Sequence, residues 1–343
     1  MPVLIVVVAT LSPAPTTLAQ ETRAIRPAEP QAHLQLEELL SIGSLSGEYD
    51  AFGRVADIAL DSRGRVLVAD RQGAHFKAFD PSGAYLATVG RRGEGPGEFA
   101  SPSGIAVGPG DSIFVGDTER GLISVFSPEY EWVRDVRISP AWQVNSMIPR
   151  PDGTLVVAAF SPGDSYPVKV LGPDGTILRR AGVPIDAPNL YGFEASLLGG
   201  RLTQDGSDYV HTMKSPYMLS FLDERLDPIR VCHGPRDFTT DPAEVVDVYE
   251  DGVGIRWGAY RHSVSILPLG NGIFLNAFLD PGDDWTLLHV VNESCELVAE
   301  LELAASVTPK VARGNLVVAA RRTDYHEVVV YRVSLEGGAE DSR

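Results

Sequence analysis

The sequence predicts an all-β fold: a six-bladed β-propeller of four-stranded blades, with the last blade closed by an N-terminal strand. Three observations carry this expectation. Two stretches, Asp57–Gly90 and Gly104–Arg137, repeat without a gap. Ile58 matches Ile105, Val68 matches Val115, Asp70 matches Asp117, Phe79 matches Phe126 and Pro81 matches Pro128, every pair 47 residues apart. A shared offset of this length is the mark of a repeat architecture. Next, 34 glycines and 25 prolines punctuate short apolar runs throughout the chain, which is the texture of many strands and tight turns. Finally, six turn anchors fill the chain, and the last unit stops one strand short.

Each of the first two units reads as four strands. The first strand is I-A-L or I-A-V, followed by a turn at Ser62-Arg63-Gly64 or Pro109-Gly110-Asp111. The second is VLVAD or IFVGD, and the third ends in Phe79 or Phe126. A second turn, DPSG or SPEY, leads to AYLATV or EWVRDV. Glycine, asparagine and aspartate suit these turns because hairpins need positive φ. β-branched and aromatic residues suit the strands between them.

Weaker copies follow. Unit three has Asp152-Gly153, TLVVAA and Pro173-Asp174-Gly175, with a short insertion at Ser161–Pro167. Unit four has Asp205-Gly206, unit five Asn271-Gly272 and unit six Arg313-Gly314-Asn315, each followed by an apolar run. The anchors Gly64, Asp111, Gly153, Gly206, Gly272 and Gly314 are spaced 47, 42, 53, 66 and 42 residues apart. The longest interval places an inter-blade insertion at His233–Arg261, with a short helix expected over Pro242–Tyr249. The missing last strand is expected from Leu34–Ile42, since a propeller closed by its N-terminal strand leaves no open edge. An amphipathic helix over Leu34–Leu40 is the alternative.

The ends read differently. Residues 1–19 carry an apolar run, Val3–Leu11, then Pro13, Pro15 and the small residues around Ala19, as a signal peptide does, although no Lys or Arg precedes the run. The run is too short to span a membrane, and no other segment has that length. Residues 20–33 read as a polar linker, 34–336 as the propeller including the 233–261 insertion, and 337–343 as a flexible tail. A secreted or periplasmic location follows, and a monomer is expected. The net charge of −17 repels phosphate backbones and argues against nucleic-acid binding. Cys232 and Cys295 are too few for a zinc site. They read as buried free thiols, with one disulfide as the alternative in an oxidising compartment.

Gly90–Phe99, GRRGEGPGEF, followed by SPSGIAV, FVGDT and SVFSPE, resembles the NHL repeat and related TolB-like six-bladed bacterial propellers. The match is strong over Asp50–Arg137 and weaker to Leu335. The resemblance implies the fold. Relatives of this kind serve as binding platforms, as sensor domains and in some cases as enzymes, so it does not fix function.

Ligands of propellers collect over the channel, on the face bearing the second-to-third and inter-blade loops. The candidate binding residues there are Arg71, Arg92, Arg120, Trp142, Tyr191, Arg256, Trp257, Tyr260 and Arg321. Arginine forks and aromatic rings suit an anionic or sugar-like ligand. Pairing of these arginines with the many carboxylates is the alternative. Polar residues on the first strands are expected to line the channel, with Asp57, Ser146 and Ser265 equivalent to Gly104, Gly199 and Val307. Asp57 and His262 are the candidate ligands of a divalent metal ion. No Gly-x-Ser-x-Gly elbow, P-loop or paired-histidine helix occurs in the sequence. The leading expectation is an exported, non-catalytic binding module for a small molecule, glycan or envelope protein. A metal-assisted hydrolase or lyase in the central channel is the alternative.

Overall fold

The structure is a computed structural model. It describes residues 21–29, 31–138, 143–160, 164–184, 200–213, 217–235, 246–249, 252–255, 262–279 and 285–337. Six four-stranded antiparallel sheets follow one another along the chain as the blades of a six-bladed β-propeller. Blade one consists of Val55–Leu60, Val66–Asp70, His75–Phe79 and Tyr85–Val89, and blade two of Pro102–Val107, Ile113–Asp117, Leu122–Phe126 and Trp132–Arg137. Blade three runs from Gln143–Pro149 to Ile177–Ala181, blade four from Arg201–Asp205 to Pro228–His233, and blade five from His262–Gly270 to Glu296–Leu303. Blade six takes Ser306–Arg313, Leu316–Arg322 and His326–Glu336 from the end of the chain. Its fourth strand is His33–Ile42, antiparallel to the third from Val328↔Ile42 to Glu336↔His33. The N-terminal closing strand is therefore present where the pattern Leu34–Ile42 placed it, and the helical alternative is excluded.

Second strands are buried on both sides, as the five buried residues of Val66–Asp70 show, because each blade is covered by a neighbour on either face. Among the described residues, apolar clusters fill the gaps between neighbouring blades. Phe76, Phe99, Ile105 and Phe126 join blades one and two. Ile42, Phe79, Val318 and Val328 join blades six and one. Closing the ring thus buries every inter-blade face, with no free sheet edge at the junction.

Turn chemistry explains why the repeat is clear early and faint later. All six first-turn anchors, from Gly64 to Gly314, include a residue with positive φ. The turn between third and fourth strands also needs one. Blades one and three use Gly83 and Gly175, whereas blades two, four and five use Tyr130, Leu226 and Cys295. A side chain at the head of the turn compensates. Ser127 Oγ accepts from the amides of Glu129 and Glu131, Asp223 Oδ1 from Arg225 and Asp227, and Asn292 Oδ1 from Ser294 and Glu296. The geometry persists while the glycine signal is lost.

The glycine loop of Gly90–Phe99 has a steric reason. Phe99 is fully buried between blades one and two. A Cβ on Gly90, which sits at φ 88°, would lie 2.4 Å from the Phe99 ring. Only glycine lets the chain leave blade one there.

Three expectations need correction. Cys232 and Cys295 form a disulfide, not free thiols, with Cα atoms 5.5 Å apart. Their separation of 63 residues hides the fact that blades four and five bring both into one shared core. The stretch read as a linker is paired. Glu21–Ala24 runs parallel to the outer strand of blade four, and Arg26–Pro27 runs parallel to that of blade five. Ile25 donates its amide to His233 O at 2.7 Å and Arg26 donates to Cys295 O at 3.0 Å, so this stretch crosses the gap that the disulfide also crosses. Within the insertion, Val246–Tyr249 is a strand antiparallel to Gly252–Ile255, not a helix. The alternation of VDVY and GVGI suits a strand. Residues 1–19, read as leader, and 338–343, within the stretch 337–343 read as tail, lie outside the described residues.

Candidate functional site: a cationic channel mouth

The first strands of the six blades wall a central channel with two cavities. The larger, of ≈ 570 Å³, is lined by residues of the second-to-third and inter-blade loops. The smaller, of ≈ 380 Å³, is lined by the opposite halves of the first strands. Arg201 and Lys310 border both and mark a waist between them.

The waist is built by strand irregularities. In blades one, two, three and five the first strand bulges just before Asp57, Gly104, Ser146 and Ser265. A bulge re-aims the next side chain. Asp57 Oδ2 accepts the amide of Ile105 at 3.3 Å, and Ser146 Oγ accepts the amide of Leu202 at 2.8 Å, so each ties its blade to the next. Arg201 Nη2 donates to Asp57 Oδ1 at 2.7 Å, and its other terminal nitrogen donates to the Asn145 carbonyl. Lys310 Nζ donates to Ala56 O at 2.9 Å.

Sequence reasoning missed Arg201 and Lys310. It had placed Gly199 and Val307 at the register of Asp57, where the strand pairing puts Arg201 and Thr308, with Lys310 the bulge residue two places on. Gly199 lies outside the described residues, and Val307 is buried with its amide on Thr286 Oγ1. The first turns of blades four and six are two-residue hairpins, Asp205↔Asp208 and Arg313↔Leu316, shorter than the turn joining Leu60 to Val66. Counting back from the turn anchors with the spacing of blade one therefore overshoots. The bulge of blade six at Lys310 adds a further shift. Turn length was the signal that would have located both residues.

Above the waist the larger cavity is strongly basic. Arg54, Arg71, Arg201, Lys310, Arg321, Arg322, His262 and His326 line it, with Glu119 as the one acidic lining residue among those described. Arg321 is committed, donating to Glu327 Oε2 at 2.7 Å and to Glu38 Oε2 at 2.6 Å. Arg54 and Arg71 enter no ion pair among the described residues, and Arg71 Nε is buried without a hydrogen-bond partner. The cations oppose one another. Burial first, and then Arg54, holds the Arg71 guanidinium below its ordinary value. Burial, then Arg322 and Arg54, lowers His326. Lys310 is pushed down to about 8, first by burial and next by Arg201.

The nine sequence candidates fall into three groups. Arg71 and Arg321 share the larger cavity with His262. Arg92 and Arg120 instead stitch the glycine loop. Arg92 donates to Ala100 O at 3.1 Å and Gln72 O at 3.2 Å. Arg120 donates to Glu94 O at 2.7 Å and also to the Glu98 carbonyl. Trp142, Tyr191, Arg256, Trp257 and Tyr260 lie outside the described residues. Of the two candidate metal ligands, His262 lines the larger cavity and Asp57 the smaller, and both Asp57 oxygens already accept hydrogen bonds. Among the described residues, no three His, Cys, Asp or Glu side chains gather as a metal site requires.

Comparison with known proteins extends the fold and not the chemistry. Residues 51–155 match a family model, DUF5128, described as a 6-bladed beta-propeller. No curated protein sequence matches the chain. A member of the DUF4221 family from Bacteroides vulgatus superposes with a TM-score of 0.64 at 10% identity, over 90% of this chain and 99% of its own. A Bacteroides fragilis protein proposed to be exported gives 0.63 at 10% identity, over 92% and 99%. The PQQ-bound aldose sugar dehydrogenase of Streptomyces coelicolor gives 0.53 at 13% identity, over 89% and 100%. At these identities the likeness is one of fold.

Proposed function

We propose that this chain is an exported, NHL-like propeller that binds a small anionic molecule in the larger channel cavity. One observation carries the reading: a protein of net charge −17 gathers Arg54, Arg71 and Lys310, none of them in an ion pair among the described residues, around one cavity that has a single acidic lining residue among those described. Like charges held together at low dielectric raise one another's energy, and an anion among them relieves it. Arginine forks supply paired donors for carboxylate, sulfate or phosphate oxygens. The use of Asp57 to balance Arg201 supports ligand binding over metal-assisted hydrolysis or lysis. The Cys232–Cys295 disulfide and the apolar run Val3–Leu11 support export, because disulfides persist in oxidising compartments. The glycine loop, together with Asp70 and Asp117 accepting amides from the incoming loops, supports the NHL-like kinship.

The test is a calorimetric titration with matched probes, succinate and its neutral diamide. Succinate is expected to bind, and to weaken as salt is raised, while the diamide does not bind. Equal binding of the two, or no binding of succinate, glucuronate or phosphate at millimolar concentration, contradicts the proposal.

A further inference from the structure

The chain contains four lysines, Lys77, Lys169, Lys214 and Lys310, among 29 basic side chains. Lys214 lies outside the described residues. The other three all lie within the fold, although lysine is the residue most easily spared to a surface. Two of them have structural positions. Lys77 Nζ donates to the carbonyls of Tyr49 and Ala51 at 3.0 and 2.8 Å. Lys169 Nζ donates to the carbonyls of Ala159 and Tyr166 and lies 3.5 Å from Asp164. Each nitrogen is surrounded by acceptors, and Lys169, like Lys310, is pushed down to about 8, first by burial.

Lys310 differs. Its single hydrogen bond among the described residues goes to Ala56 O. The carboxylate nearest in charge, Asp57, is taken by Arg201. Lys310 also lines both cavities, where the larger one carries the cationic mouth. Burial and a neighbouring cation are the two conditions that release a lysine amine as a nucleophile near neutral pH, and both act here.

We propose that Lys310 condenses reversibly with a small oxo-acid, a molecule carrying a ketone or aldehyde beside or near a carboxylate. The inference rests on the anionic-ligand reading of the same cavity. Arg71 and Arg54 hold the carboxylate, and the neutral Lys310 amine attacks the carbonyl carbon. The first product is a carbinolamine, formed as a proton passes from nitrogen to the former carbonyl oxygen. Loss of one water then leaves the imine, C=N replacing C=O. No oxidant or reductant takes part. The hydrogen bond to Ala56 O uses one N–H and leaves the lone pair for attack. An arginine at this place could hold the acid but could not form the imine, which gives a reason for lysine where the chain otherwise prefers arginine.

The test uses the intact protein, 2-oxoglutarate as probe and cyanoborohydride as trap, followed by peptide mass mapping. The expected result is a single reduced adduct on the peptide bearing Lys310, formed more readily as pH rises from 6 to 9. Lys310→Arg and Lys310→Met should abolish it. Wild-type protein without an adduct at Lys310, or with labelling spread over Lys214 and the N-terminus alone, overturns the proposal without recourse to any variant. Succinate, which has no ketone, is titrated in parallel. Succinate binding without an adduct at Lys310 removes the imine step alone. Loss of both removes the anionic-ligand reading as well.

Discussion

Asp57 and Arg201 meet across the central channel, Oδ1 to Nη2 at 2.7 Å, from the first strand of blade one to the first strand of blade four. In a ring of six these blades stand opposite one another, so one ion pair ties two sides of the propeller together at its narrowest level. Both side chains are largely withdrawn from solvent, with 7% and 15% of their surface exposed. Removing one charge from such a pair leaves the other uncompensated, which costs about 3–5 kcal/mol. Asp57→Asn should therefore lower the urea midpoint markedly. Asp57→Leu combined with Arg201→Met should recover much of the loss, because the desolvation cost of both ions disappears. Urea denaturation of the wild type, Asp57→Leu, Arg201→Met and the double variant measures the coupling, and additive losses would contradict a direct pairing.

The disulfide gives a second prediction. Cys232–Cys295 closes a loop of 63 residues between blades four and five. Loop-closure entropy for a ring of that size amounts to about 4 kcal/mol. Reduction, or Cys232→Ser, should lower stability by a substantial part of this. It should also speed amide exchange in Glu21–Pro27, whose backbone pairs on either side of the bridge. Unaltered exchange in that stretch after reduction would show that the N-terminal pairing stands independently.

Much of this architecture is legible in the sequence because blades one and two keep the same strand residues at a constant offset of 47. Asp70 and Asp117 end the second strands of blades one and two and clamp the incoming loops. The later blades replace them at the same register with Ala159, Met213, Phe278 and Arg321, so the repeat fades while the pairing continues. The closing strand was legible because its apolar pattern matched a missing place. The site was less so. Arg71 could be read from its position after the second strand. Arg201 and Lys310 depend on two-residue turns and a bulge, whose lengths are set by backbone pairing and leave little mark in composition. The disulfide depends on which blades are neighbours, a matter of ring closure.

Acid stability should report on one buried imidazole. His211 is enclosed in blade four with Nε2 unbonded, and burial, aided by Lys169, pushes it down to about 4. The unfolded chain binds a proton at His211 below its ordinary value of 6.5, whereas the folded chain does not until about 4. The unfolded state thus holds more protons in that window, and stability falls as pH drops through it. The loss from this group is on the order of 3 kcal/mol. His211→Asn should flatten the pH dependence of unfolding between about 6.5 and 4. An unchanged slope would place the acid sensitivity elsewhere.

Arg71 and Arg120 should separate binding from stability. Arg71 lines the cavity with a buried, unbonded Nε, so Arg71→Ala should weaken succinate about tenfold or more, as the loss of a charged hydrogen bond does. Its melting temperature should hold or rise, because a mutually repelling cation is gone. Arg120 spends its donors on the carbonyls of Glu94 and Glu98. Arg120→Ala should loosen the glycine loop, lowering stability by about 1–2 kcal/mol, with little change in succinate affinity. Calorimetry and thermal melts on both variants decide the matter, and a reversed pattern would exchange their roles.

The most direct test of the central claim is a crystal structure of the protein soaked with 2-oxoglutarate or succinate at a concentration the titration shows to saturate. The account predicts density in the larger cavity, with one carboxylate against Arg71 and Arg54 and the far end approaching Lys310. A ligand on the blade sides or in the smaller cavity alone, with the cationic mouth filled only by water, would contradict it.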